Sequence, residues 1–396
     1  MVKDEVKKAL ESVQKAVQGD LNGTGQAHVD LLETIRKLSL AVETPAETLM
    51  RMRFEPLQSA AIRLALETGV LDAISSLGGK KVTADELADL TKYHALLIAR
   101  IMRLVTWAGV VDEVGENTYA ANEMTRLIVS PGLSGGEKHH FDLFFPTGAK
   151  LMEYLHETKV HQFPKDDEIS AFQYAHGKKL WEYFDAVPEQ RKYFDDYMAV
   201  RRVGLVKWFQ TYPMAEILCP AAKRDANAAL FVDVGGNWGH EVESFHEAYP
   251  DAPGRLILQD LPQTIEKVRR ENPPKDVECM EYDFFQPQPI KGARAYYFRN
   301  ICHDWPDEQC QIFLSNTARS MEEGYSRLLI DDYVLNDVQA PIRAAAMDLL
   351  MMLFCSGIER TRHQWEILLD RCGLEIVKVW GTRSDYEQVI EARLKE

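Results

Sequence analysis

The sequence predicts an α/β fold in two parts: a mostly helical N-terminal domain, then a parallel, buried sheet alternating with helices. Three observations carry this. From residue 229 onward, short apolar runs of strand length alternate with helical segments, the pattern of βα units with helices on both sheet faces. Before residue 226 no such alternation exists, and residues 45–130 read as three helices followed by a hairpin. The chain has 396 residues, 46% of them apolar and 27% charged, which is enough to bury more than one core. The expected divisions are 1–130, 131–225 and 226–396.

Residues 1–40 carry apolar side chains at helical spacings (Val13, Val17, Leu31, Leu32, Ile35, Leu38, Leu40). Such a stripe is covered either by its own domain or by a second copy as a dimer arm. Next, Pro56 is expected to open a helix running to about Leu77, stopped by Gly78-Gly79. Thr83 with Glu86 forms a capping box for a second helix, and residues 95–108 form a third. Val110–Val114 and Thr118–Ala120 flank Gly115-Glu116-Asn117, a hairpin signal. This is winged-helix order, but the wing is acidic and lacks the Lys and Arg that DNA needs. Residues 130–225 are helical and rich in aromatics, among them Phe141, Phe184, Phe194 and Trp208, and 221–227 reads as a linker. Most of these rings read as core, a few as the wall of a small-molecule pocket.

In the last part the expected strands are 230–234, 256–259, 277–282, 295–299 and 328–332, with helices at about 240–249, 262–271, 307–322 and 341–354. Strands 374–380 and 388–392 close the chain as an antiparallel hairpin at the sheet edge.

Charge and cysteine content exclude several functions. Lys and Arg number 46 against 61 Asp and Glu, a net charge of −15. An acidic chain is unsuited to coating nucleic acid or an anionic membrane. The six cysteines are irregularly spaced without CxxC, which argues against a disulfide scaffold or a zinc module and for a reducing, cytoplasmic setting. The longest nearly apolar stretch, 344–355, contains Asp348 and is too short to span a bilayer.

Chemistry-bearing residues gather at the carboxyl ends of the expected strands, where α/β sheets bind ligands. The first strand runs into Gly235-Gly236-Asn237-Trp238-Gly239, which fits neither GxGxxG nor the Walker pattern, so NAD and ATP are disfavoured. The second ends in Asp260, placed to hold ribose hydroxyls, and the third in Asp283-Phe284, suited to an adenine amino group and ring. Together these describe a nucleoside site without a diphosphate, which suits S-adenosylmethionine. The fourth strand leads into Arg299-Asn300-Ile301-Cys302-His303-Asp304-Trp305. A histidine here reads as a general base, or as an ordinary surface residue near a helix start. Asp331-Asp332 ends the fifth strand, and Glu359 follows in Gly357-Ile358-Glu359-Arg360-Thr361. The adjacent acids as a metal site is the weaker reading, for want of His or Cys partners.

In this order, VDVGGNWG, LILQDLP, HDWPDEQC, LLIDDYVL and MDLLMM…GIERT resemble the S-adenosylmethionine-dependent O-methyltransferases of the caffeic-acid type, in particular their fungal secondary-metabolism branch. The likeness covers about residues 45–394. It implies a Rossmann-like, seven-stranded methyltransferase domain behind a winged-helix-like dimerisation domain, hence a homodimer. It implies that His303 is the general base and that Asp332 and Glu359 are its flanking acids. It implies cofactor contacts from Gly235, Gly236, Asp260, Asp283, Phe284, Arg299 and Trp305. Substrate contacts would come from His139, Phe184, Met198 and Met351. The acceptor would be a hydroxyl of an aromatic or polyketide-type small molecule, and no metal is required. One departure stands out: the family's Gly-Gly-Gly-x-Gly turn has Asn237 at its third position and Trp238 next.

Some fungal relatives of this fold are pericyclases, which cyclise a polyketide-derived substrate without methyl transfer and tend to replace the base histidine by Arg or Lys. His303 favours methyl transfer. A third reading, a non-catalytic regulator using the winged helix, is opposed by the negative charge and by His303, Asp332 and Glu359.

Overall fold

The computed structural model describes residues 2–21, 25–159, 169–201, 206–225, 227–381 and 385–395. They form two compact units, residues 1–22, 30–154 and 174–205 against residues 23–29, 155–173 and 206–396. Residues 131–225 thus contribute to both. Of the linker expected at 221–227, Ala226 lies outside the described residues.

In the first unit the N-terminal helical run is two helices, Val2–Leu21 and Gly25–Val42, the second running in from the other unit. Pro56 does not start a helix. The helix spans Pro45–Glu67 with Pro56 inside it. Its start is fixed by a capping box: Glu47 N donates to Thr44 Oγ1 at 3.3 Å, and Thr44 N donates to the Glu47 carboxylate at 2.8 Å. With Pro45 in the first turn, where a missing N–H costs nothing, this cap outweighs the signal of the later proline. The helix stops before Gly69, at φ 70°, and Val70–Ser76 follows. The expected Thr83–Glu86 box caps Ala84–Thr91, and Ala95–Trp107 completes the trio. Strands Asp112–Gly115 and Thr118–Ala120 form the wing, and Val82–Thr83 pairs onto the second of them. Leu71, Ile74, Leu87, Ile98, Met102, Val105 and Tyr119 make this unit's core.

The second unit is built on a seven-stranded sheet: β1 Ala229–Val234, β2 Arg255–Asp260, β3 Glu278–Glu281, β4 Ala295–Arg299, β5 Arg327–Asp332, β6 Leu374–Trp380 and β7 Gln388–Leu394. Its order is β6-β7-β5-β4-β1-β2-β3. The neighbours from β5 through β4, β1 and β2 to β3 pair in parallel. β7 enters antiparallel between β5 and β6, pairing Gln388 with Asp332 and Ala392 with Leu328. The predicted C-terminal hairpin is therefore present, with β6 at the sheet edge.

Alternation along the strands divides two cores. Leu328 and Ile330 of β5 join Tyr296 and Phe298 of β4 on one face, with Phe313 and Trp365. Leu329 and Tyr297 face the other side with Phe231, Phe245 and Trp208, whose indole stacks on Phe231 at 4.9 Å and 10°. At the end of β5 the same period sends Asp331 to the second face and Asp332 to the first. The strand order reverses direction between β1 and β4, so the crevice beyond their carboxyl ends is where a ligand is expected.

Candidate active site

The turn after β1 is shaped for close approach. Gly235 has φ 73°, and a Cβ there would lie 2.7 Å from Ile301 Cδ1 and 3.9 Å from Phe284. A Cβ on Gly236 would meet Leu258 Cδ1 at 2.5 Å and the Asp233 carboxylate at 2.6 Å. Asn237 stands at φ 51°, a left-handed conformation that asparagine tolerates, so the turn keeps its shape without a third glycine. Trp238 turns toward the face holding Phe231 and Phe245 and lies under Lys267, whose Nζ is 4.8 Å from its ring centre.

Asp260, ending β2, is held from two sides: Asn237 N donates to Oδ2 at 2.9 Å and Leu261 N to Oδ1 at 2.8 Å. Asp283 accepts from Phe285 N at 3.0 Å, which sets the turn after β3. Phe284, Phe285 and Trp305 form a ring cluster, with Phe284 and Phe285 tilted at 5.0 Å and Phe285 edge-to-face with Trp305 at 5.0 Å. Asp260 thus ends β2, and Gly235, Gly236, Asp283, Phe284 and Trp305 are on the loops that follow β1, β3 and β4.

Arg299 has a different environment. It is paired with Glu241 at 2.6 Å and Asp331 at 3.1 Å, with its side chain 12% exposed. Burial works against its charge, and Asp331, Tyr297 and Glu241 hold the charge in place. Tyr297 donates to the same Asp331 at 2.7 Å. Beneath the turn, Asp233 is pushed up to about 8 by burial, with Glu241 adding and Arg299 opposing.

His303 sits in a one-turn 3₁₀ segment, Cys302–Asp304, directly after β4. Its Nδ1 is 2.7 Å from Glu359 Oε1, both side chains buried, and Asp304 Oδ1 is 3.7 Å from Nε2. Glu359 N donates to Asp348 at 2.9 Å, which ties this acid to the helix Ile342–Cys355. Burial alone would neutralise the ring; Glu359, Asp304 and Asp332 outweigh it and raise His303 to about 10. Asp332 is fully buried, and burial pushes it up to about 8, with His303 opposing and Glu359 adding. Neither Asp332 oxygen, nor Glu359 Oε2, has a hydrogen-bond partner among the described residues. Buried acceptors are rarely left so, and they mark where a ligand donor is awaited.

Two of the four expected substrate residues meet within the first unit. The His139 ring lies 5.8 Å from Phe184 and 5.4 Å from Phe194, and Phe184 stacks on Phe194 at 5.0 Å. Burial, with His140 adding, lowers His139 to about 3, so its imidazole is neutral. Met198 is on the helix Pro188–Val200, its sulfur 3.8 Å from Arg201. Met351 is buried on Ile342–Cys355 in the second unit. The reading of single motifs missed Glu241, Asp304, Asp348 and Arg360 as members of the site. Asp304, Asp348 and Arg360 lie inside quoted motifs, whereas nothing local marks Glu241.

Comparison with known proteins agrees with this fold. Residues 51–131 match the O-methyltransferase dimerisation domain, and residues 153–375 match the O-methyltransferase domain. The chain belongs to this O-methyltransferase family. A demethylsterigmatocystin 6-O-methyltransferase of Aspergillus parasiticus is 33% identical over 347 residues, 87% of each chain. The solved structure of OxaC in complex with SAH and oxaline matches with a TM-score of 0.85 at 29% identity, covering 100% of both chains. A structure described as a pericyclic reaction enzyme matches with a TM-score of 0.87 at 27% identity, covering 99% of this chain and 100% of that one.

This O-methyltransferase uses S-adenosylmethionine, and the residues present suit that group. Gly235 and Gly236 are packed against Ile301, Leu258 and Asp233 so closely that no side chain fits, which leaves a bare backbone turn at the sheet's carboxyl edge. The loops offer carboxylates and aromatic rings, the donor set for a nucleoside carrying no phosphate. Among the described residues no helix is long and apolar enough to cross a membrane.

Proposed function

We propose that His303 is the general base of this S-adenosylmethionine-dependent O-methyltransferase and that its acceptor is a phenol of the aromatic or polyketide type. The observation that carries the reading is the buried His303–Glu359 pair at 2.7 Å, at the carboxyl edge of the sheet beside the glycine turn. Glu359 fixes the ring through Nδ1 and leaves Nε2 to take the acceptor proton. Raised to about 10, the ring is mostly charged near neutral pH, so its neutral fraction accepts the proton, on near-equal terms with a phenol of pKa about 10. An aliphatic alcohol would hold its proton far more tightly. The unpartnered oxygens of Asp332 and Glu359 offer hydrogen-bond partners for acceptor-side hydroxyls.

Gly235, Gly236, Asp260, Asp283, Phe284 and Trp305 would hold the cofactor, Asp260 through ribose hydroxyls and Phe284 through the adenine ring. When bound, S-adenosylmethionine supplies an electrophilic methyl group on a sulfonium leaving group. The protein's own part is alignment, exclusion of water and keeping the released proton on His303. His139, Phe184, Met198 and Met351 are proposed to shape the acceptor site. Arg299, engaged by Glu241 and Asp331, would act on the cofactor by fixing the end of β4. We further propose a homodimer formed through the dimerisation domain, and a cytoplasmic location on the strength of the six scattered thiols.

The test combines cofactor binding with turnover. Calorimetric titration with S-adenosylmethionine and S-adenosylhomocysteine should give micromolar binding of both. A screen of phenolic polyketides, demethylsterigmatocystin first, should then yield a methylated product that His303→Gln does not form. Because one matching structure is a pericyclic reaction enzyme, cyclised product without methyl transfer is the second outcome to assay. Its formation at undiminished rate by His303→Gln would replace methyl transfer with pericyclic catalysis as the activity.

A further inference from the structure

Arg360 is fully buried, and its guanidinium spends its donors on one short stretch of chain. Nη1 donates to the carbonyl of Cys302 at 2.9 Å and Nη2 to that of Trp305 at 2.9 Å. These two carbonyls bracket His303 and Asp304. Nε binds Asp307 Oδ1 at 2.8 Å, at the start of the helix Asp307–Ala318. Weaker contacts reach Ile358 O and Cys310 Sγ, each at 3.4 Å, and the group lies over Trp365 at 5.1 Å.

Arg360 also follows Glu359 directly in the chain, and it pairs in a two-residue parallel bridge with Val334, two residues beyond Asp332. One side chain and its backbone therefore join the three segments that carry His303, Glu359 and Asp332. The same junction is tightened by Ile358 N, which donates to His303 O at 2.9 Å. Gly357 makes that approach feasible, since a Cβ there would fall 1.9 Å from His303 O.

A buried arginine is weak evidence for stability, because its desolvation offsets much of its attraction. Its hydrogen bonds here converge on the turn of the base, where a shift of about 1 Å costs on the order of 100-fold in rate. We propose that Arg360 is a positioning residue that clamps the His303 turn against the Glu359 segment and so sets kcat. The proposal rests on His303 being the base.

The experiment uses the full chain with Arg360→Lys and Arg360→Ala, and His303→Gln as control. Lysine keeps a cation but cannot bracket two carbonyls. The first readout needs no acceptor: the far-downfield proton between His303 Nδ1 and Glu359, identified by its loss in Glu359→Gln. In Arg360→Lys this resonance should move upfield or broaden away, while S-adenosylhomocysteine affinity stays within about threefold. The second readout is turnover with the phenol the screen returns. kcat should fall on the order of 100-fold with both KM values nearly unchanged, and millimolar guanidinium should restore part of it in Arg360→Ala but not in His303→Gln. An unmoved resonance in a variant that binds the cofactor product normally overturns the proposal. So does a kcat loss that merely tracks the folded fraction. Failure of Arg360→Ala to fold leaves Arg360→Lys to decide. Full turnover by His303→Gln would instead overturn the base assignment itself.

Discussion

Glu359→Gln removes the foremost charge holding a proton on His303, and its effect on stability has a defined sign. The ring's ordinary value is 6.5, and in the folded protein it rises to about 10. Its contribution is thus fully present below pH 6.5 and is lost as pH climbs to 10, because the unfolded chain releases the proton first. The loss runs at about 1.4 kcal/mol per pH unit, some 5 kcal/mol across the window. Asp332, raised to about 8, adds a slope of the same sign, but only below that pH. Between pH 8 and 9.5 the wild type should therefore lose about 2 kcal/mol of unfolding free energy through His303. In Glu359→Gln the foremost charge raising the ring is gone, burial pulls its value down against Asp304 and Asp332, and this term shrinks. Urea unfolding of both proteins at pH 8, 8.5, 9 and 9.5 reads the difference, with lysines and surface tyrosines cancelling. The gap in stability, about 3–5 kcal/mol at pH 7, should narrow steadily as pH rises. A gap constant from pH 8 to 9.5 would refute the assignment of a charged, Glu359-held imidazole. In turnover the same variant should lose on the order of 10²–10⁴ in kcat.

Gly236→Ala should weaken S-adenosylhomocysteine binding at least tenfold by calorimetry and lower stability by about 1–3 kcal/mol, because its Cβ would fall 2.5–2.6 Å from Leu258 and Asp233. Gly357→Ala should also lower stability but leave cofactor affinity nearly unchanged while lowering kcat, since its Cβ would fall 1.9 Å from the His303 carbonyl oxygen and 3.0 Å from the Asp304 backbone. Asn237→Gly should alter cofactor affinity less than threefold, because asparagine already adopts the φ of 51° that the turn requires. A large gain in affinity from that change would show that the asparagine side chain, not the backbone, shapes the turn.

Local signals in the sequence are legible where they are complete. The Thr83–Glu86 box and the βα alternation from residue 229 translate directly into helix and strand, because capping and periodicity act over a few residues. Pro56 misled because the decisive cap, Thr44 with Glu47, lies ahead of it and overrides a proline that the helix then absorbs. At the site, His303 and the acids ending β2 and β5 are legible as residue types at strand ends, and Glu359 as an acid in the GIERT motif. Their electrostatics are not. The ion pairs of Arg299 join β4 to Glu241 and Asp331, and the bonds of Arg360 span more than fifty positions. Such long-range contacts leave no spacing to read. The same holds for the insertion of β7 between β5 and β6, which no pattern within 388–394 announces.

That insertion gives residues 388–394 a duty out of proportion to their number. β5 carries Asp331 and Asp332 at its tip, yet the neighbour that covers its outer edge lies more than fifty residues later in the sequence, pairing from Gln388↔Asp332 to Ala392↔Leu328. With β7 undocked, the strand of Leu328, Leu329 and Ile330 would stand as a bare apolar edge, open to pairing with other chains. Docking of β7 thus both closes the sheet beside the acid-bearing strand and removes a site for intermolecular pairing.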